Sequence, residues 1–324
     1  MGKQVIIGAP NWIGDAVIST SLFPIIKENL PESSLFILCK KKVRAIFERN
    51  PYVEEILHPE NGRKIKEKKF ALGILLTNSF SSALLMRRLG VKERVGYPTD
   101  GRRFLLTRRV SLPQNWRRIP QIEFYLRILD SLGIKRKDTK PQLYLEKEEM
   151  EKVKENFHLP EKFVALIPGA AYGSAKRWPV ENFAGLSLAL TQEFFLPVVI
   201  LGSEEEKKLG DEITAVNREA FNLVGKTSLR EMMSIISLSS LVVCNDSGAL
   251  HVASALEIPV IGIYGPTPVE KTKPWYGKVR TIYRKVDCSP CEYRECPRDH
   301  RCMKSINIED VLELVRELLK QDEK

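Results

Sequence analysis

Short apolar runs, each closed by a small-residue or polar turn and followed by an amphipathic stretch, recur along the chain. In the first half the runs lie at residues 5–9, 35–38, 53–57, 71–76 and 94–97. In the second they lie at 163–167, 198–201, 241–244, Val260–Tyr264 and Val279–Tyr283. Helical spacing falls between them, at 16–26, 82–89, 121–132, 146–157, from Val180 onward, at 249–256 and at 308–319. Continuous apolar strands alternating with amphipathic helices predict an α/β fold of parallel sheets covered by helices on both faces. Apolar patterning weakens at 135–141 and resumes at Phe163, so two domains are expected, 1–157 and 158–324. No short sequence repeat is visible, and the duplication is one of architecture.

The turns carry the chemistry. After the strand at 241–244 come Asn245, Asp246, Ser247 and Gly248, opening a helix that holds His251 one turn in. Free N–H groups and the positive end of the helix dipole suit an anion there. Asp246 either caps that helix or faces a ligand, and the two are compatible. After the first strand come Asn11-Trp12-Ile13-Gly14-Asp15, where Asp15 either favours the first helical turn or stands where open α/β sheets bind ligands. Neither turn is a Gly-x-Gly-x-x-Gly fingerprint, and no Walker lysine follows.

With 43% hydrophobic and 28% charged residues, the 324-residue chain has the composition of a soluble globular protein. No apolar run approaches a membrane span, and the first residues enter a strand without a signal-peptide core, so a cytoplasmic protein is expected. The formal charge of +10 is lopsided: residues 1–155 hold 30 Lys and Arg against 18 Asp and Glu, residues 156–324 hold 21 against 23. An anionic partner is expected for the first half. Arg102, Arg103, Arg108, Arg109, Arg117 and Arg118, interleaved with Phe104 and Trp116, read as an anion-binding face or as a solvated loop. No nucleic-acid module accompanies them, and nucleic acid is not an expected partner.

In register along nearly the whole chain, Asn11-Trp12-Ile13-Gly14-Asp15, Pro168-Gly169 through Ala175-Lys176-Arg177-Trp178-Pro179, Asp246-Ser247-Gly248 with His251, and Tyr264-Gly265-Pro266-Thr267 resemble the lipopolysaccharide heptosyltransferases, glycosyltransferase family 9. The first of these motifs and Cys288-Ser289-Pro290-Cys291 look most like the family's heptosyltransferase II members. The resemblance implies a GT-B fold, two Rossmann-like domains with parallel sheets facing across a cleft. It implies inverting transfer of heptose from ADP-heptose, with no cofactor or metal, to an anionic lipopolysaccharide inner-core acceptor at the inner face of the cytoplasmic membrane. Asp15 falls on the family's catalytic aspartate and Lys176 on the lysine that neutralises the donor phosphates. Asp246, Ser247, Gly248 and His251 fall on the donor-binding motif, Gly14 and Trp178 join the donor site, and Glu206 and Thr227 match loop positions near the adenosine. Asn11 and the six arginines are the candidates for the acceptor. In GT-B folds generally the last helix crosses back to the first domain, a point the sequence leaves open. The alternatives are transfer at another inner-core position or a sugar-nucleotide enzyme that is not a transferase, such as an epimerase.

Cys288, Cys291, Cys296 and Cys302, with His300 between the last two, read as a structural metal site, as disulfides or as free thiols. Cys39 and Cys244 lie in apolar runs and are expected in the core.

Overall fold

A computed structural model describes residues 3–116 and 118–321. Contacts divide the chain into two compact units, Met1–Tyr144 and Leu145–Lys324. In the first, β1 (Gln4–Gly8), β2 (Ser34–Leu38), β3 (Glu55–Leu57), β4 (Leu72–Leu75), β5 (Glu93–Gly96) and β6 (Arg108–Arg109) form one parallel sheet in the order β3-β2-β1-β4-β5-β6. In the second, β7 (Val164–Ile167), β8 (Val198–Ile200), β9 (Phe221–Asn222), β10 (Leu241–Asn245), β11 (Val260–Tyr264) and β12 (Val279–Tyr283) form another, ordered β12-β11-β10-β7-β8-β9. Each unit winds its first three strands outward to one side and its next three to the other. The strand order reverses between β1 and β4, and again between β7 and β10, and ligands bind at the carboxyl ends of strands at such points.

Burial explains why the pattern was readable. Val5, Ile6 and Ile7 of β1 and Leu241 to Cys244 of β10 are inaccessible to solvent, because helices cover both faces of each sheet. The edge strands β6 and β9 span two residues each, too short to leave a pattern. Cys39 and Cys244 are buried as expected, and burial pushes the Cys39 thiol up to about 12.

The division at Tyr144 falls earlier than the boundary expected near residue 158. The helix Lys147–Asn156 closes its amino end with a capping box between Glu146 and Glu149. It buries Val153, and Glu149 pairs with Arg230 at 2.7 Å, on the helix Leu229–Leu238 of the second unit. The last helix, Ile308–Gln321, likewise belongs to the second unit. Val311, Leu312, Val315 and Leu318 enter that unit's core, and Glu317 and Asp310 pair with Arg280 and Arg284 of the β12 region.

Candidate functional site

Three adjacent strands of the second sheet, β11, β10 and β7, deliver three loops to one edge. Lys176 comes from the loop after β7, Asp246 from the turn after β10 and Thr267 from the turn after β11. The Lys176 ammonium sits 2.6 Å from Asp246 Oδ2 and 3.4 Å from the Asp246 carbonyl. The Thr267 hydroxyl donates to the same Oδ2 at 2.5 Å. All three residues are buried, at 8%, 5% and 5% exposure, so desolvation and charge pairing are matched in one small cluster.

Asp246 therefore does not cap the following helix. Ser247 occupies the cap position of helix Gly248–Ala255 without a side-chain cap bond, and its buried hydroxyl has no hydrogen-bond partner. The amino end of that helix, a buried ammonium and an unsatisfied hydroxyl are groups of the kind that bind phosphate. His251 lies in the first turns of the same helix, 8% exposed. Burial lowers its imidazole to about 4, against the opposing pull of the Asp246 carboxylate, so it is neutral at pH 7.

Asn245, at the end of β10, was read only as part of a polar turn, and it organises the loop that bears Lys176. Its Nδ2 donates to the carbonyls of Pro168 (2.7 Å) and Gly169 (3.3 Å), and its Oδ1 accepts from the Trp178 amide (2.9 Å). One inaccessible amide thus pins the loop where it leaves β7 and where it returns. Trp178 is a correction: its ring is 1% exposed, packs edge-on against Phe183 and donates Nε1–H to the Ile306 carbonyl at 2.9 Å, so it is core rather than donor contact. Glu206 lies under Gly169, where a Cβ would come within 2.0 Å of Oε1, and its Oε2 accepts from the Ser203 amide and hydroxyl. Thr227 is half-buried just before the Ser228 cap, on the loop after β9.

In the first unit, β1 leads through Asn11 and Trp12 into helix Ile13–Thr20, which holds Gly14 and Asp15 in its first turn. Asn11, Gly14 and Asp15 are half-buried. Helix Gln121–Asp130 packs alongside and places Tyr125, 1% exposed, near Asp15. Burial, and then the Asp15 carboxylate, push the Tyr125 hydroxyl well up. Trp12 is 44% exposed, with the Lys42 ammonium 5.3 Å from its ring centroid.

The arginines do not form the single face expected of them. Arg102 is inaccessible, its guanidinium donating to the carbonyls of Tyr97 (2.8 Å), Thr77 (2.5 Å) and Ser79 (3.3 Å) and to the Ser82 hydroxyl (3.2 Å). It fastens the loop after β4, and burial lowers its pKa to about 10 against the opposing pull of Asp100. Arg108 and Arg109 occupy the edge strand β6, where successive side chains point to opposite faces. Arg108 pairs with Glu93 at 2.8 Å and donates to the Ser131 carbonyl. Arg103, Arg109 and Arg118 are exposed, and Arg117 lies outside the described residues.

All six cysteines are outside disulfides. Burial raises the Cys302 thiol, against a hydrogen bond from the Met303 backbone. Among the described residues no three His, Cys, Asp or Glu side chains are arranged to hold a metal ion.

Residues 60–301 match the family model of glycosyltransferase family 9 (heptosyltransferase). The chain is 30% identical to lipopolysaccharide heptosyltransferase 2 of Escherichia coli (strain K12), with 99% of each chain covered. Its structure superposes on that of Escherichia coli ADP-heptose lipopolysaccharide heptosyltransferase II with a TM-score of 0.88 and 28% identity, covering 99% of this chain and 100% of the other. A family 9 glycosyltransferase structure from Veillonella parvula shares the fold, with a TM-score of 0.84, 18% identity, and coverage of 98% of this chain and 97% of the other.

Proposed function

The chain belongs to glycosyltransferase family 9, the heptosyltransferases, and from that premise we propose that it moves L-glycero-D-manno-heptose from ADP-heptose onto the heptose of the lipopolysaccharide inner core, Hep–Kdo–lipid A. The observation that carries the donor half of this reading is the Lys176–Asp246–Thr267 cluster beside the amino end of helix Gly248–Ala255. Lys176, the helix amides and the unsatisfied Ser247 hydroxyl are groups that hold a diphosphate and stabilise it as it departs.

In the proposed reaction an acceptor hydroxyl oxygen attacks the anomeric carbon of the heptose. The bond from that carbon to the donor's phosphate oxygen breaks, and ADP leaves with the electron pair. Asp15 takes the acceptor proton as general base. The sugar is inverted, because the new bond forms on the face opposite the leaving group. Neutral His251 contributes hydrogen bonding rather than charge. The exposed Arg103, Arg109 and Arg118 are the acceptor candidates that remain, and the basic excess of residues 1–155 suits an anionic acceptor and a peripheral position on an anionic membrane surface. Among the described residues no helix is long and apolar enough to cross a membrane.

The test is transfer of radiolabelled heptose from ADP-heptose to a mono-heptosylated Kdo–lipid A acceptor in EDTA. Transfer supports the reading in full. ADP binding without transfer would leave the donor site standing and refute the acceptor assignment.

A further inference from the structure

The segment 286–300, which carries Cys288, Cys291 and Cys296, has no part in the donor site as described so far, yet its backbone is built into it. The Arg294 carbonyl accepts from the Ala175 amide at 3.0 Å, and the Glu292 carbonyl accepts from the Tyr172 hydroxyl at 2.7 Å. The amides of Cys291 and Glu292 donate to the Pro266 carbonyl (2.9 and 2.8 Å), and the Ser289 hydroxyl donates to the Gly265 carbonyl (2.5 Å). The segment therefore clasps both the loop that bears Lys176 and the turn that bears Thr267. The approach is close enough that a Cβ on Gly173 would fall 2.1 Å from the Arg294 oxygen.

One side chain of this segment matters for charge. The Arg294 guanidinium lies 5.5 Å from the centroid of the Tyr172 ring, and the Lys176 ammonium lies 4.9 Å from the same centroid. Both cations thus lie against the Tyr172 ring, on the loop that carries Lys176 to Asp246. Lys176 is already paired with Asp246, so that pair brings almost no net charge to an anionic ligand. Arg177, the other cation of the loop, lies 3.9 Å from Glu206. Arg294 is exposed and forms no ion pair with any described residue. A guanidinium fork matches two phosphate oxygens at once.

We propose that Arg294 is the second cation of the donor site, binding the diphosphate of the nucleotide-sugar, and that the cysteine-bearing segment serves to deliver it. The inference rests on the donor reading above. Because the segment clasps the loop through backbone groups, those hydrogen bonds are kept in Arg294→Ala, which removes the fork and its contact with the Tyr172 ring.

The experiment is calorimetric titration of ADP, and separately of adenosine, into wild type, Arg294→Ala and Arg294→Lys. The expected result is ADP affinity lowered roughly tenfold in Arg294→Ala, partly restored in Arg294→Lys, with adenosine affinity unchanged throughout. ADP bound by Arg294→Ala within about twofold of wild type would overturn the inference and leave the donor reading standing. Equal weakening of ADP and adenosine would also overturn it, since Arg294 would then be bracing the loop. Wild type that binds no ADP would remove the donor reading itself, and the inference with it.

Discussion

Lys176 and Asp246 meet at 2.6 Å, with side chains 10% and 5% exposed, so each charge depends on the other for compensation. Asp246→Asn keeps the shape and can still accept from Thr267, yet it strands a buried ammonium. Removing one partner of a buried pair costs about 3 to 5 kcal/mol. Urea unfolding is expected to show a loss of that size in Asp246→Asn and in Lys176→Met. The double variant should recover much of it, because no charge is left uncompensated. Additive losses in the double variant would show that the pair does not couple.

Asn245 is expected to act on donor binding without touching the donor. Asn245→Ala leaves the carbonyl of Pro168 and the amide of Trp178 buried and unpaired, at about 1 to 3 kcal/mol each. The loop that bears Lys176 then loses its position, and kcat/KM is expected to fall on the order of 10²-fold. Steady-state kinetics with ADP-heptose would check this, and wild-type kinetics in a folded Asn245→Ala would refute it.

The central strands and the helices between them were legible because β1, β7, β10 and β11 are buried on both faces and read as unbroken apolar runs. Lys176 and Asp246 were legible as motif members, though nothing in one sequence says that a loop after β7 and a turn after β10 meet. The arginines were not legible as individuals. Arg102 and Arg103 are identical in sequence terms, and only the carbonyls of Thr77, Ser79 and Tyr97, brought round by tertiary structure, bury the one and leave the other in water. Trp178 misled for the opposite reason: it stands in the donor-loop motif but turns its ring into the core. The helix Lys147–Asn156 gave no sign of its unit, since it buries a single residue, Val153.

That contrast between the arginines is measurable. Arg102→Met leaves several buried carbonyls without a charged donor and is expected to destabilise by about 3 kcal/mol. Arg103→Ala, at an exposed position, is expected to stay within about 0.5 kcal/mol of wild type. Denaturant midpoints for the two variants would decide it, and equal midpoints would place Arg102 in solvent.

Asp15 is expected to affect the chemical step alone. Asp15→Asn removes the proposed base and preserves the side-chain size, so kcat is expected to drop by about 10²- to 10⁴-fold. ADP affinity should be unchanged, since the groups proposed to hold the donor phosphates, Lys176, Ser247 and the amino end of helix Gly248–Ala255, lie in the second unit. Near-normal kcat in Asp15→Asn would relegate Asp15 to a first-turn helix residue beside Tyr125.

His251 ties stability to pH. Unfolded, its imidazole takes a proton near 6.5, whereas in the folded chain burial holds it down to about 4. Asp246 opposes that depression, Lys176 adds to it, and a hydrogen bond to the Thr272 backbone opposes it. Between those values the unfolded state binds the extra proton, so acid favours unfolding. The contribution of neutral His251 is fully present above pH 6.5 and is lost as pH falls toward about 4. The whole span is worth about 3 kcal/mol. Replacing the imidazole by an amide that does not titrate, His251→Gln, should flatten this part of the curve. The check is unfolding free energy between pH 7 and pH 4.5 for wild type and His251→Gln. Parallel curves would mean that His251 takes up its proton as readily in the folded chain as in the unfolded one, and that burial does not hold it neutral.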